Sequence, residues 1–368
     1  MFAFFAKGSG ISERTFHLKS KAPISRKGVR LVEKVRLAMV GCGGHSGHHA
    51  RLMRQIPEVE IVAAVDVREE IVNNYIERNL SGYPARPKVY TDLDAMLAEV
   101  KPDAVLIATP HTLHFEHGMK ALEAGCHVFM EKPMVTAADQ AYALAEKVKE
   151  TGKVFVVGYN TPCTGEFYWL REQIRNQTFG RLQLVSGYLS QGWLKGTTGT
   201  WRQDPALSGG GQAYDSGAHL LNSLCWSVEA NVQEVFAYID NCGAPVDINS
   251  SINVRFENGV FAAIAIGGNC ESSGAHMAFV FERGRVEIDG WNGQWIRVYD
   301  RHGQIKYPPI SNERYTPDQN FIDAILGRAE PRTSPYNGIV QSELMDAIYE
   351  SARTGMPARP KRLATQAG

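Results

Sequence analysis

The sequence predicts an α/β protein with a doubly wound parallel sheet in its first half, followed by an α+β region built on a large, mostly antiparallel open sheet. Three observations carry this expectation. A buried-strand run, Val35 to Val40, breaks into a glycine turn and then a helical pattern. Strand and helix patterns alternate at regular spacing as far as residue 158. Beyond that point several strands alternate apolar with polar residues, as Ile252, Val254 and Phe256 do around Asn253 and Arg255, which leaves one sheet face open.

Taken in order, Val35 to Val40 leads into a helix carrying Leu52, Met53 and Ile56, and Val59 to Val65 is the second strand. Glu69 to Leu80 reads as helix, Val89 and Tyr90 as a short strand, Asp92 to Glu99 as helix and Ala104 to Ala108 as strand. Leu113 to Ala124 is helical, His127 to Met130 is a strand, Ala138 to Glu150 is helical, and Val154 to Val157 closes the first domain, residues 35–158. A helix over Thr164 to Gln177 opens the second domain, residues 159–358. Its strands are Leu182 to Leu189, Val232 to Ile239, Ile248 to Phe256, Val260 to Ile266, His276 to Phe281, Arg285 to Ile288 and Trp295 to Tyr299. Helices near Pro317 to Leu326 and Ile339 to Ala352 follow, the latter ended by Gly355 and Pro357, and residues 359–368 form a tail.

The 368 residues suffice for two cores, and a formal net charge of zero gives no electrostatic case for nucleic acid or an anionic membrane. Cys42, Cys126, Cys163, Cys225, Cys242 and Cys270 form no paired pattern, which suits a reducing, cytoplasmic compartment. No apolar run approaches the roughly 20 residues of a membrane span. Residues 1–34 stand apart: Lys7, Arg14, Lys19, Lys21, Arg26, Lys27, Arg30 and Lys34 face only Glu13 and Glu33, as expected of a flexible basic leader.

In the turn Gly41-Cys42-Gly43-Gly44-His45-Ser46-Gly47, Gly41 permits the bend and Gly43 lets a pyrophosphate approach, while the following helix offers free N–H groups. Asp66, 25 residues after Gly41, would accept both hydroxyls of an adenosine ribose. Together these predict a Rossmann dinucleotide site formed by Gly41, Gly43, Gly44, His45, Ser46, Asp66 and Arg68. Asp66 favours NAD over NADP, because a carboxylate repels a 2′-phosphate.

Met130-Glu131-Lys132-Pro133 follows the fifth strand of that sheet, so Lys132 would point into the crevice beyond the strand ends where ligands collect. In the second domain, Ser208 to Gly211 leads to Asp215, His219 and Asn222, spaced i, i+4 and i+7 and therefore expected on one helix face. An acid, a titratable histidine and a separate lysine suit alcohol oxidation: a proton acceptor, a group to orient it and a cation for a developing alkoxide. Tyr159, Asn160, Trp193, Lys195, Trp201 and Arg202 are candidate substrate contacts, aromatic faces for pyranose C–H patches and polar groups for hydroxyls. The run His111, His114, His117 invites a metal reading, but no acid or cysteine has matching spacing, and no metal is expected.

With these motifs the sequence resembles the Gfo/Idh/MocA oxidoreductases, the family of glucose–fructose oxidoreductase and inositol dehydrogenase. The resemblance runs from Val35 to about Ala358. It rests on the glycine turn with His49, Thr109-Pro110-His111-Thr112-Leu113-His114, Ala121-Leu122-Glu123-Ala124-Gly125, Glu131-Lys132-Pro133, Gly209 to Gly211 and Asp215-x-Gly217-x-His219. It implies an NAD(P)-dependent enzyme of sugars or polyols, a homodimer or homotetramer assembled through the open sheet. By position, Lys132 would hold the substrate oxygen, His219 would act as acid/base, and Asp215 would help position substrate. Thr109, Pro110, His111 and Glu131 would join the cofactor contacts, with His114 near the nicotinamide. Asn222 stands where the family more often has aspartate, and Ser46 where it has glycine or alanine. Two other classes share these motifs: NAD-assisted glycoside cleavage through transient oxidation, and a non-enzymatic NAD-binding regulator, which would be expected to lose Lys132 or His219.

Overall fold

The computed structural model describes residues 34–308, 310 and 315–362, so the basic leader lies outside the described residues apart from Lys34. Strands and helices alternate from the start: β1 (Val35–Val40), α1 (Gly44–Met53), β2 (Val59–Val65), α2 (Glu69–Asn79), β3 (Lys88–Tyr90), α3 (Leu93–Val100), β4 (Ala104–Ile107), α4 (His114–Glu123), β5 (His127–Met130), α5 (Ala138–Thr151) and β6 (Phe155–Val157). The strands form one parallel sheet in the order β3-β2-β1-β4-β5-β6, with the chain switching direction between β1 and β4. Apolar runs such as Ala104 to Ile107 are buried on both faces because helices cover both. Caps set several boundaries: Asp92 accepts from Ala95 N at the head of α3, and Thr164 caps the helix after β6 in the same way. Two helix ends differ from the sequence expectation. The first helix ends at Met53, before Ile56, and the fourth begins with a 3₁₀ turn, His111–Leu113.

The second half comprises α6 (Gly165–Arg175), β7 (Leu182–Ser190), α7 (Trp193–Thr197), α8 (Pro205–Ser208), α9 (Gly217–Val228), β8 (Val232–Asp240), β9 (Asn249–Phe256), β10 (Phe261–Gly267), β11 (Gly274–Phe281), β12 (Gly284–Asp289), β13 (Ile296–Asp300), β14 (Ile305–Lys306), α10 (Pro317–Ile325) and α11 (Pro335–Thr354). Its eight-stranded sheet runs β14-β13-β12-β11-β7-β10-β9-β8 and is antiparallel except for the parallel pair β7 and β10. On β9 and β10 buried and exposed residues alternate strictly. The inner residues, Ile252, Val254, Phe256, Ile264 and Ile266 among them, share a core with α6, α9 and α11. The short α7, α8 and β14 carry too few residues for a periodic pattern and were absent from the sequence expectation.

One crossing was also not expected. Helix α10 falls in the second half of the chain, yet Phe321 and Ile322 are wholly buried among Met39, Leu106, Phe129 and Val156 of the parallel sheet. A polar clamp fixes it there. His49 of α1 is buried, with Nδ1 2.8 Å from Asp318 Oδ1 of α10 and Nε2 2.8 Å from Glu131 Oε1 at the end of β5. Burial opposes charge on this imidazole, but the Asp318 and Glu131 carboxylates outweigh it and raise the pKa from 6.5 to about 10. Burial likewise pushes the Glu131 carboxyl up, and the hydrogen bonds from His45 and His49 overcome this to hold it well below the usual range. His49 therefore crosslinks three elements as a cation. Because its folded pKa lies above the unfolded value, its stabilisation is complete below pH 6.5 and is lost as the pH climbs to about 10. The melting temperature should fall across that window, and His49→Gln should lower it at neutral pH and flatten the decline, as measured by thermal unfolding against pH. An unchanged profile in the variant would refute the clamp.

Candidate active site

The glycine turn is built as its sequence requires. Gly41 has φ +88°, and a Cβ there would meet Ala108 O at 2.7 Å. A Cβ at Gly43 or Gly44 would meet nothing within 4 Å, so the backbone at the head of α1 is open to an approaching ligand. Asp66 at the end of β2 turns back onto the bend, its Oδ2 accepting from Cys42 N at 2.9 Å. Gly41, Gly43, Asp66, Thr109, Pro110 and Trp201 line a groove of about 500 Å³. These residues fit a dinucleotide: free N–H groups at a helix start for the pyrophosphate, and a carboxylate at the next strand end for a ribose.

Several expected cofactor contacts do not line this groove. Ser46 is buried and faces inward, its hydroxyl 3.0 Å from the Tyr75 hydroxyl, so it joins α1 to α2. Arg68 precedes the first turn of α2 and is exposed. His114 is fully buried with Nδ1 2.8 Å from Pro133 O and Nε2 2.9 Å from Thr109 O, while burial holds its pKa below the ordinary histidine value. It braces the backbone on either side of the crevice and does not line the groove. His111 hydrogen-bonds through Nδ1 to Ser208 O at 3.0 Å and meets the Trp201 ring edge-on at 4.9 Å. Thr112 Oγ1 adds a bond to Ala206 O, and the two residues latch α8 to the parallel-sheet half, which brings Trp201 and Leu207 over the groove.

Lys132 is buried at the end of β5, and its ammonium crosses to the other half of the molecule. Nζ donates to Asp215 Oδ1 at 2.8 Å and to Asp215 O at 3.1 Å. The second carboxylate oxygen of Asp215 accepts from Trp193 Nε1 at 2.8 Å and from Arg202 Nε at 3.0 Å. Burial alone would raise this carboxyl, but Lys132 and then Arg202 outweigh it and hold it far below the usual range. The expected single helix face is corrected here. Helix α9 begins at Gly217, and Asp215 lies in the turn before it. Asp247 fixes that turn by accepting from Gly211 N at 2.6 Å and Ala213 N at 2.8 Å. A Cβ on Gly211 would sit 1.9 Å from Asp247 O, so only glycine permits this approach.

His219, in the first turn of α9, stacks on Trp291 at 4.7 Å and meets the Tyr159 ring edge-on at 6.0 Å. Burial, then the nearby Lys132 charge, lowers its pKa to about 3, so the ring is neutral at physiological pH. Its Nδ1 has no hydrogen-bond partner among the described residues. Asn160 bonds to Asn292 beside Trp291, at 3.2 Å. Asn222 is placed apart from this group and lines a separate cavity. Lys132, Asp215, Trp193 and Arg202 thus meet at one seam, His219 with Tyr159 and Trp291 lies within electrostatic reach of Lys132 and Asp215, and Trp201 belongs to the groove wall. Sequence reasoning missed His49's two carboxylate partners and the Trp291 stack. The signal for the latter was a tryptophan between Gly290 and Gly293, in a connection tight enough to aim a side chain.

His45, His49 and Glu131 are the one group of such side chains, among the described residues, whose ligand atoms lie within 4.8 Å of one another. Both ring nitrogens of His49 are already engaged by carboxylates. The run His111, His114, His117 does not converge. No helix among the described residues is long and apolar enough to cross a membrane.

Comparison with known proteins agrees with this fold. Residues 35–159 match the oxidoreductase family with an NAD-binding Rossmann fold, and residues 167–295 match the GFO/IDH/MocA C-terminal domain. The D-glucoside 3-dehydrogenase of Escherichia coli K12 is 25% identical over 354 residues, spanning 87% of this chain and 96% of that protein. The scyllo-inositol 2-dehydrogenase (NADP(+)) of Bacillus subtilis 168 is 26% identical over 360 residues, 89% and 96% of the two chains. Among solved structures, an NAD-binding protein from Listeria innocua superposes with a TM-score of 0.75 at 27% identity, covering 89% of this chain and 97% of its own. The chain belongs to the Gfo/Idh/MocA family of NAD(P)-dependent oxidoreductases.

Proposed function

We propose that the protein interconverts a secondary alcohol and a ketone on a sugar, polyol or glycoside, with NAD as the preferred cofactor. The observation that carries this reading is the meeting of Lys132 from the parallel-sheet half with Asp215 and His219 from the other half. The relatives named for glucoside, inositol and levoglucosan oxidation support the substrate class. The dinucleotide, when bound, supplies the two-electron acceptor. On the protein side, His219 takes the hydroxyl proton as the carbinol C–H bond breaks and the carbonyl forms. Its neutral resting state leaves a nitrogen lone pair ready, and charge developing on the adjacent oxygen raises the ring's proton affinity during transfer. Lys132 donates to that oxygen, exchanging part of its bond to Asp215 for one to the developing alkoxide. Asp215, with Trp193 and Arg202, keeps the ammonium aimed, Tyr159 and Asn160 border the substrate, and Trp291 walls the imidazole from water.

The test is a panel of sugars, polyols and keto-sugars assayed by absorbance with NAD and with NADP. Turnover should be faster with NAD, because Asp66 repels a 2′-phosphate. On the best substrate, Lys132→Met should lower kcat about 10²- to 10³-fold and His219→Ala about 10²- to 10⁴-fold, with NAD affinity by fluorescence titration nearly unchanged. Near-normal rates in both variants would overturn the assignment, and glycoside cleavage without net NADH would replace it.

The open sheet face carries Leu184, Tyr188, Tyr238 and Phe261, each more than two-fifths exposed on β7, β8 and β10. We infer that a second copy of the chain covers it, giving a dimer or tetramer, since a row of apolar side chains on a flat sheet is otherwise left to water. Light scattering should give a multiple of the 40.7 kDa chain mass. The pair Tyr238→Lys and Phe261→Glu should reduce it to the monomer, and a monomeric parent would contradict the inference.

A further inference from the structure

A second cavity, of about 600 Å³, lies along the later turns of α9 between α6 and the segment that enters α11. None of the residues assigned above to hydride transfer lines it. Its volume is that of a small-molecule site, and its chemistry is an excess of donors. Three guanidiniums, Arg171, Arg175 and Arg332, line it together with two carboxylates, Glu229 and Glu330. Arg175 is satisfied internally, holding Glu229 through Nε and Nη2 at 2.6 and 2.7 Å and Glu172 through Nη1 at 3.0 Å.

The other donors are satisfied only in part. Arg171 is held flat over the Trp226 ring at 4.0 Å and bonds to Glu229, but its Nε is buried with no acceptor among the described residues. The Arg332 guanidinium lies over the rings of Tyr168 and Tyr315, 4.8 and 4.6 Å from their centres, and among the described residues it makes one hydrogen bond, from Nη1 to Pro162 O at 3.2 Å. Asn222, 1% exposed, lines the same cavity, and its Nδ2 meets no acceptor. Buried donors without acceptors are costly, and the residues that carry two of them, Arg171 and Asn222, line one space beside the Arg332 fork, which defines its complement: a group rich in acceptor oxygens. A guanidinium held against two rings is a preformed planar fork, which matches a carboxylate or a phosphate and cannot be replaced by a point charge.

We propose that this cavity binds a small organic oxyanion, held by Arg332 and Arg171 with Asn222 as a further donor. The site does not depend on the dehydrogenase reading. It is mechanically joined to it, because Asn222 lies three residues after His219 on α9, and the next residue, Ser223, donates to His219 O at 2.9 Å.

The test is isothermal titration of the full chain, without nucleotide, against D-gluconate, citrate, glucose 6-phosphate and inorganic phosphate. Saturable one-site binding of at least one probe is expected, and comparison of the arms tells carboxylate from phosphate. Asn222→Leu removes a donor that makes no internal bond, so it should leave the melting temperature of the free protein nearly unchanged while weakening binding several-fold. Arg332→Lys and Arg332→Gln should both weaken binding about tenfold or more, since lysine lacks the fork. Arg202→Gln, at the other cationic site, should leave it unaltered. No saturable binding of any probe, binding that survives both Asn222→Leu and Arg332→Gln, or binding lost in Arg202→Gln would each overturn the proposal.

Discussion

The bond between the Lys132 ammonium and the Asp215 carboxylate, 2.8 Å long and nearly dry, is the constraint on which the rest of the molecule turns. Burying two opposite charges costs several kcal/mol per ion before their attraction is counted, so such a pair persists only where further donors complete it. Here Trp193 and Arg202 supply them on the second oxygen of Asp215. The pair is therefore better understood as an aiming device than as a source of stability. It holds an ammonium in the crevice at the end of β5, beside a neutral imidazole whose pKa that same ammonium helps to lower.

Reaching this arrangement makes demands far from the seam. The turn before α9 must come close enough to present Asp215, which requires Gly211 against the Asp247 backbone. The end of β5 must be immobile, and Glu131, the residue before Lys132, is locked by His49 to α1 and through Asp318 to α10. The glycine turn, the lysine and a helix from the far end of the chain are thus one mechanical unit. Latches at His111 and Thr112 add α8, so the wall of the cofactor groove is shared between the halves.

Much of this was legible in the sequence because it rests on local pattern. The alternation of six parallel strands with helices, the alternation on β9 and β10, the glycine turn with Asp66, and the distinction of Lys132, Asp215 and His219 all follow from spacing and residue type. What escaped depends on contacts remote in the chain. His49 meets Asp318 across 269 positions, and nothing near either residue announces the other. Helix α10 returns to the first sheet although its amphipathic pattern says only that one face is buried. Asp215 falls outside α9 because Asp247 captures the preceding backbone, which the i, i+4, i+7 spacing cannot reveal. His114 and Asn222 carry chemically capable side chains but point elsewhere, since residue type alone does not give direction.

The most direct measurement of the central claim is a crystal structure of the protein with NAD and a sugar or polyol that it oxidises slowly. The account predicts the reacting hydroxyl oxygen within hydrogen-bond distance of both Lys132 Nζ and a His219 ring nitrogen, with its carbon facing the nicotinamide. A substrate bound with that oxygen on other groups, and with Lys132 and His219 on different sides of the ligand, would contradict it.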